Sequence, residues 1–174
     1  MTTAFIGLGS NLGDGRQTLQ LAWHKLGETE GITIEDLSAP YLSAPVGMDS
    51  DNWFTNAVGR LQSELPPLEL LEALLRVEAD FGRRRGQGLP GYQDRTLDLD
   101  LLYFGSEILR EKRLILPHPH LGERLFALKP LAELAPSWCD PLDGQRIAYK
   151  LLRLEKMMLS GDIPPQDISR STWS

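Results

Sequence analysis

The feature that most constrains the fold is an alternation of leucine and aspartate between Arg95 and Leu102, where the chain reads R-T-L-D-L-D-L-L. A period of two residues is that of a β-strand, so Asp98 and Asp100 are predicted to share one face of a sheet. Their Cα atoms would lie about 6.5–7 Å apart, a span over which two carboxylates can hold divalent metal. The leucines would anchor the opposite face in a core. A solvated acidic face explains the same pattern without a metal, and both interpretations stay open at this point.

The other apolar patterns predict the element order β-α-β-β-α-β, which is the split-βαβ or ferredoxin-like arrangement. The predicted fold class is α+β, with an antiparallel sheet, helices packed on one face and additional C-terminal helices. No helical pattern separates the second strand from the third, so these two should pair as antiparallel neighbours. Strands are predicted near 4–8, 32–41, 53–65, 95–104 and 114–116, and helices near 14–27, 66–82, 123–134 and 145–159.

Length and composition limit the class of protein. A chain of 174 residues can bury a core as one domain, predicted over residues 1–160. The tail over 161–174 has few apolar residues and should be mobile unless it docks on the domain. The net charge of -6 argues against a nucleic acid or an anionic membrane as partner. Cys139 is the single cysteine, and neither a signal peptide nor a membrane span is recognisable, so a cytoplasmic location is expected.

A glycine-rich basic loop leads into the acidic strand. Between Arg83 and Arg95, four arginines stand against one acidic residue, Asp94. Arginine offers forked donors that match phosphate oxygens, so the loop and a metal on the strand could bind the same polyphosphate. Such a loop can also close over a ligand, whereas a solvated basic loop is the alternative that arginines alone leave open.

Two familiar phosphate-binding motifs do not fit the chain. The P-loop pattern is absent, and no lysine occurs between Lys25 and Lys112. The sequence G-L-G-S-N-L-G from Gly7 departs from the dinucleotide fingerprint, because its third glycine comes one residue late. We interpret this stretch as a structural turn.

Two further side chains are candidates for chemistry. His118 stands between two prolines, which fix its backbone and hold the imidazole in one place. A zinc site made by His118 and His120 is an alternative that no further histidine or cysteine cluster supports. Glu78 lies at the border of the apolar stripe of the second helix, from which it could face the side of Asp98 and Asp100.

Two aromatic segments could bind a flat heterocycle. Phe54 precedes the amide Asn56 by two residues, and Phe126 lies in a later segment. Core packing is the ordinary role of such rings. The alternative is a heterocycle stacked between two rings and read by the amide.

Six motifs in chain order resemble the 6-hydroxymethyl-7,8-dihydropterin pyrophosphokinase family of folate biosynthesis, over about Phe5 to Pro136. The run R-T-L-D-L-D followed by P-H-P is the most specific of them. The motifs are G-S-N-L-G at 9–13, A-P-V-G at 44–47, F-T-N at 54–56, F-G-R at 81–83, R-T-L-D-L-D at 95–100 and P-H-P at 117–119.

The resemblance implies transfer of an intact pyrophosphoryl group from ATP to the pterin hydroxymethyl group, with release of AMP. It implies that Asp98 and Asp100 hold two Mg²⁺ ions, and that these aspartates, Arg83 and Arg95 are the catalytic residues. The side chains that would bind the nucleotide and its phosphates are Arg85, Arg95, Arg113, His118 and Arg124.

The resemblance also implies where the pterin binds. Its ring would lie between Phe54 and Phe126. Asn56 and the main chain at Ala44, Pro45 and Val46 would read its edges. The implied partners are ATP and the reduced pterin, with other folate-pathway enzymes as candidate protein partners.

Two other functions use the same residues. A metal-dependent phosphohydrolase could employ the acidic pair, and a non-catalytic nucleotide-sensing module could use the arginine loop as a regulatory surface. The nucleotide product distinguishes them, because only the pyrophosphokinase forms AMP in a pterin-dependent way.

Overall fold

The computed structural model describes residues 1–45, 50–82 and 96–174, and an antiparallel sheet forms its centre. Six strands join in the order β5-β1-β4-β3-β8, with β2 also paired to β4, and β6 and β7 form a small separate sheet. A 3₁₀ turn occupies Leu121–Glu123. The elements are β1 (Thr2–Ser10), α1 (Gly15–Gly27), β2 (Ile32–Leu37), β3 (Tyr41–Ser43), β4 (Phe54–Ser63), α2 (Pro67–Asp80), β5 (Asp98–Phe104), β6 (Leu109–Arg110), β7 (Ile115–Leu116), α3 (Leu125–Leu134), α4 (Ile147–Leu159) and β8 (Ile168–Arg170).

The predicted α+β class and the antiparallel pairing of the second and third strands are confirmed. The strand predicted to reach Tyr41 is two strands, because the ladder is interrupted between β2 and β3. There the Ser38 hydroxyl accepts the Val58 N–H at 3.0 Å, and Pro40 has no N–H to donate. Both β2 and β3 pair with β4, opposite its second half and its first residues respectively.

Each face of the sheet carries its own hydrophobic core. One core joins α1 and α2 to the leucine face of β5, which presents Leu99 and Leu101, and to Leu97 just before the strand. The other core joins α3 and α4 to Phe5, Leu102 and neighbouring residues. Asp98 and Asp100 therefore lie on the α3 side of the sheet, and the predicted alternation of faces is confirmed.

The C-terminal tail docks on the sheet. Strand β8 pairs with β3 in antiparallel register, with Arg170 opposite Tyr41 and Ile168 opposite Ser43. Beyond it, the Trp173 indole packs against the α1–α2 core and donates its Nε1–H to the Ser38 carbonyl at 3.0 Å. The tail therefore docks on the domain, the alternative to a mobile tail that the sequence analysis named. It extends the sheet by one strand.

In the part of the chain that the structure describes, none of the helices combines the length and apolar character that crossing a bilayer requires.

Candidate active site

A cavity of about 260 Å³ opens on the α3 side of the sheet. Its floor is formed by β1, β4 and β5, and one wall is formed by the segment that leads into α3. The residues that line it are Gly7, Leu8, Gly9, Ser43, Ala44, Phe54, Asn56, Ala57, Asp98, Asp100, Leu102, His118, His120, Leu121, Glu123, Arg124, Phe126 and Ala127.

The middle of the floor is bare backbone. Gly7 and Gly9 lie on the same face of β1. A Cβ at Gly9 would come 3.4 Å from the Asn56 Oδ1. A Cβ at Gly7 would come 3.4 Å from the Leu102 Cδ2 and 3.7 Å from the Asp100 Cβ. The missing side chains leave room for a ligand beside these polar groups. The sequence contained a signal for this open floor, because two glycines spaced two residues apart leave one face of a strand without side chains. From the sequence alone, these glycines are interpreted as part of a turn.

The two aspartates stand directly opposite these glycines. In the antiparallel ladder between β1 and β5, Asp98 pairs with Gly9 and Asp100 pairs with Gly7. Both carboxylates line the cavity, and the Asp100 side chain is 39 % exposed. The fold thus places two acidic groups on the floor of the cavity, each paired with a strand position that has no side chain.

This donor set fits magnesium better than zinc. Mg²⁺ binds proteins through one or two carboxylates and completes its shell with water and substrate phosphates. Within residues 1–45, 50–82 and 96–174, no group of three or more His, Cys, Asp or Glu residues could hold a metal ion by itself. The His118 and His120 rings are 6.1 Å apart and tilted by 59°, and the zinc alternative gains no third ligand among these residues.

His118 borders the acidic pair. Its Nε2 lies 4.0 Å from the Asp100 Oδ1, and its backbone N–H donates to the Leu102 carbonyl at 2.9 Å. Burial lowers the pKa of His118 to about 4, and the positive charge of Arg124 and the proximity of His120 act in the same direction. At neutral pH the imidazole is therefore uncharged and offers one N–H donor.

We expect the His118 imidazole to remain neutral down to pH 5 in the metal-free, ligand-free protein. Its pKa of about 4 lies below the usual 6.5, so protonation should begin only in more acidic solution. The measurement is the ¹H–¹⁵N correlation spectrum of the imidazole over a pH titration, with His118→Gln assigning the signal. A titration midpoint above pH 6 would contradict the effect of burial.

Glu78 contacts the acidic strand through its backbone. It lies on α2, is 1 % exposed, and its Oε1 accepts the Leu99 N–H at 2.8 Å. Because α2 covers the leucine face, this carboxylate reaches the strand from the core side and not across the cavity. It holds the main chain at the residue between Asp98 and Asp100.

The side chains expected around a heterocycle also come together. Phe54, Asn56, Ala44 and Phe126 all line the cavity. The Asn56 amide is buried and donates its Nδ2–H to the Ser43 hydroxyl at 2.8 Å, which fixes its orientation. Ser43 is a lining residue that sequence reasoning missed, and no motif pointed to it.

Arg124 stands beside the second ring of the cavity. Its guanidinium carbon lies 5.6 Å from the centroid of the Phe126 ring, within the range of a cation–π interaction. This arginine and His118 are the two predicted nucleotide-binding residues that line the described cavity.

The other predicted residues are placed differently. Arg113 is exposed and pairs with Glu72 on α2 at 3.3 Å, and neither it nor Pro45 is among the cavity-lining residues in the described ranges. The remaining predicted residues lie outside the described residues, and they are Val46, Arg83, Arg85 and Arg95.

The structure is that of an α+β domain with an antiparallel sheet and a cavity lined by two carboxylates on one face. Residues 5–136 match the model of the family described as 7,8-dihydro-6-hydroxymethylpterin-pyrophosphokinase. The chain belongs to this family, as its motifs indicated. It is accordingly a pyrophosphokinase, a diphosphotransferase of folate biosynthesis.

Individual relatives agree with the family match. A 2-amino-4-hydroxy-6-hydroxymethyldihydropteridine pyrophosphokinase of Synechocystis is 42 % identical over 174 residues, covering 95 % of this chain and 87 % of the relative. The protein of the same name from Methylorubrum extorquens is 38 % identical, covering 89 % of this chain and 95 % of the relative.

Solved structures share the fold. A Plasmodium falciparum HPPK-DHPS crystal structure aligns with a TM-score of 0.75 at 13 % identity, over 97 % of this chain and 48 % of that one. The chain thus spans about half the length of such solved structures. At this identity the likeness concerns the fold alone.

Proposed function

We propose that this chain transfers the β,γ-pyrophosphoryl group of ATP to the hydroxyl of 6-hydroxymethyl-7,8-dihydropterin inside the described cavity. The acceptor oxygen forms a bond to the β-phosphorus, and the bond to the oxygen bridging to the α-phosphorus breaks. AMP leaves with that oxygen, and the hydroxyl releases its proton. The observation that carries the proposal is that the acidic pair and two aromatic rings line one cavity with a bare glycine floor.

Asp98 and Asp100 are proposed to hold two Mg²⁺ ions. Bound magnesium neutralises charge on the phosphates and lowers the pKa of a coordinated hydroxyl. The support lies in the pairing of each carboxylate with a glycine of β1, which leaves space over the carboxylates for a polyphosphate. The neutral His118 beside Asp100 would donate its N–H to a phosphate oxygen without adding a charge.

The pterin is proposed to stack between Phe54 and Phe126. The Asn56 Nδ2 is engaged by Ser43, so its Oδ1 is the atom to accept an N–H of the heterocycle. The Ala44 N–H donates to the Asp167 carbonyl at 3.0 Å, so we assign the Ala44 carbonyl to the ligand edge. Both polar contacts would fix one orientation of the ring.

The arginines are proposed to neutralise the triphosphate. Arg124 lines the cavity and is assigned to the nucleotide end. Arg113 would have to exchange its exposed pair with Glu72 for a phosphate contact, a small loss because surface ion pairs contribute little. Three further arginines with this proposed role lie outside the described residues, and they are Arg83, Arg85 and Arg95.

The nucleotide product tests the proposal. The protein is incubated with ATP, Mg²⁺ and the reduced pterin, with matched reactions that lack pterin or contain EDTA. We expect AMP and the pterin diphosphate in equal amounts, and only when pterin and Mg²⁺ are both present. ADP or phosphate without pterin would instead favour a phosphohydrolase. ATP binding without turnover would favour a nucleotide-sensing module.

Location and protein partners follow as further proposals. A single, exposed cysteine suits the reducing cytoplasm. Other folate-pathway enzymes are the proposed protein partners. A relative from Lactococcus lactis named "Bifunctional protein FolKE" supports this, since the chain covers 38 % of its length at 38 % identity.

A further inference from the structure

The C-terminal tail contacts two separate chain segments that line the cavity. Strand β8 pairs with β3, whose last residue, Ser43, lines the cavity together with the following Ala44. A few residues earlier, the tail contacts the start of α3, which carries Arg124 and Phe126. The two segments lie about 80 residues apart in the chain, and the tail joins both.

Gln166 makes the contact with the α3 wall. Its Oε1 accepts the Leu125 N–H at 3.0 Å, and its Nε2 donates to the Glu123 carbonyl at 2.8 Å. One side-chain amide thus holds the backbone on both sides of Arg124. No other side chain in the described residues connects these two backbone groups.

The beginning of α3 needs such a partner. The first N–H groups of a helix have no acceptor within the helix, and a side chain of the N-cap residue usually supplies one. Here the N-cap is Arg124, whose side chain makes no capping hydrogen bond. Gln166 supplies the acceptor from 41 residues away, so the cap of α3 depends on the tail.

The contact with the other wall uses the next residue. The Asp167 carbonyl accepts the Ala44 N–H at 3.0 Å, and its side chain is exposed. The Ser171 N–H then donates to the Pro40 carbonyl at 2.8 Å, and the Arg16 guanidinium donates to the Ser171 hydroxyl at 3.0 Å. The tail is therefore fixed at several points on the β3 side.

We propose that the C-terminal tail positions the walls of the pterin site from outside the cavity, and that Gln166 is a positioning residue that holds the Arg124–Phe126 wall at its distance from Ala44. The inference rests on the proposed function, because it assigns the pterin to the space between these walls. Gln166 lies outside the cavity lining and acts through the backbone of α3. Its loss should therefore loosen substrate binding more than it slows the chemical step.

The test compares Gln166→Ala and Gln166→Glu with the control Asp167→Asn. The control changes the neighbouring exposed side chain but keeps the carbonyl that binds Ala44. For Gln166→Ala, which deletes both hydrogen bonds, we expect the KM for the pterin to rise about tenfold or more, with kcat at saturation of both substrates preserved. Gln166→Glu keeps the acceptor for Leu125 and should lie between the alanine variant and the wild type.

Hydrogen exchange provides a readout that does not need turnover. The Leu125 amide should exchange about tenfold faster in Gln166→Ala than in the wild type and in Asp167→Asn. An unchanged KM with unchanged exchange would overturn the inference. A reduced kcat with an unchanged KM would also overturn it. That result would mean that Gln166 only stabilises the fold, since its loss would then lower the fraction of active protein without changing substrate affinity. Absence of pterin-dependent AMP in the wild type would instead overturn the proposed function, whatever the exchange rates.

Discussion

Replacement of Asp98 or Asp100 by asparagine is expected to reduce the kcat of pyrophosphoryl transfer by about a thousandfold or more, because the loss of a metal-binding charge removes several kcal/mol of transition-state stabilisation. The fold should be unaffected. Both side chains line the cavity and not the core, and the buried leucines of the same strand remain in place. Removal of one of two like charges also relieves repulsion in the metal-free protein.

Three measurements on each variant check this expectation. AMP formation gives kcat, calorimetry with Mg²⁺ and a non-hydrolysable nucleotide gives the metal-dependent affinity, and urea unfolding gives the stability. Asp80→Asn is a matched control, since Asp80 is exposed at the end of α2 and lies outside the cavity. A kcat near that of the wild type in either cavity variant would remove the aspartates from the mechanism. A loss of activity that is accompanied by unfolding of the variant would likewise give no support to a role of the aspartates in the mechanism.

Glu78→Ala is expected to lower the free energy of unfolding by about 1–3 kcal/mol, since it deletes the acceptor and leaves the Leu99 N–H buried without its partner. It should also weaken Mg²⁺ binding, because that N–H belongs to the residue between the two aspartates. The variant would thus affect the site through the backbone of β5, without any contact between Glu78 and the ligand.

Glu78→Gln tests whether the hydrogen bond to Leu99 is what stabilises the protein. It keeps a carbonyl acceptor for Leu99 and should lose less stability than the alanine variant. Glu72→Ala, on the same helix but exposed and in a surface pair with Arg113, should cost less than about 1 kcal/mol. Urea unfolding and Mg²⁺-dependent nucleotide binding are measured for all three. A stability of Glu78→Ala equal to that of Glu72→Ala would show that the buried hydrogen bond contributes little.

Local patterns predicted those parts of the site that lie on one strand or one motif. The alternation around Asp98 and Asp100 determined which face each carboxylate takes, because successive residues of a strand point to opposite sides. The family resemblance carried by these motifs is confirmed by the match over residues 5–136. The roles of the individual site residues stay predictions.

Other parts of the site depend on contacts between distant segments. The pairing of the aspartates with Gly7 and Gly9 depends on the register between β1 and β5, which a single strand does not encode. The break near Ser38 was missed because a hydroxyl there replaces a backbone acceptor in the ladder. Asn56 was recognised, but its partner Ser43 lies in a strand that only the sheet brings beside it.

By itself, the sequence determined the α+β class, the strand that carries the acidic pair, and the family to which the chain belongs. These depend on residue spacing and on short motifs, which are local properties of the chain. Only the tertiary structure decided that the C-terminal tail caps α3 through Gln166 and pairs with β3. The reason is physical: the tail has little apolar pattern of its own, and its place depends on hydrogen-bonding groups that other segments leave unpaired when they fold.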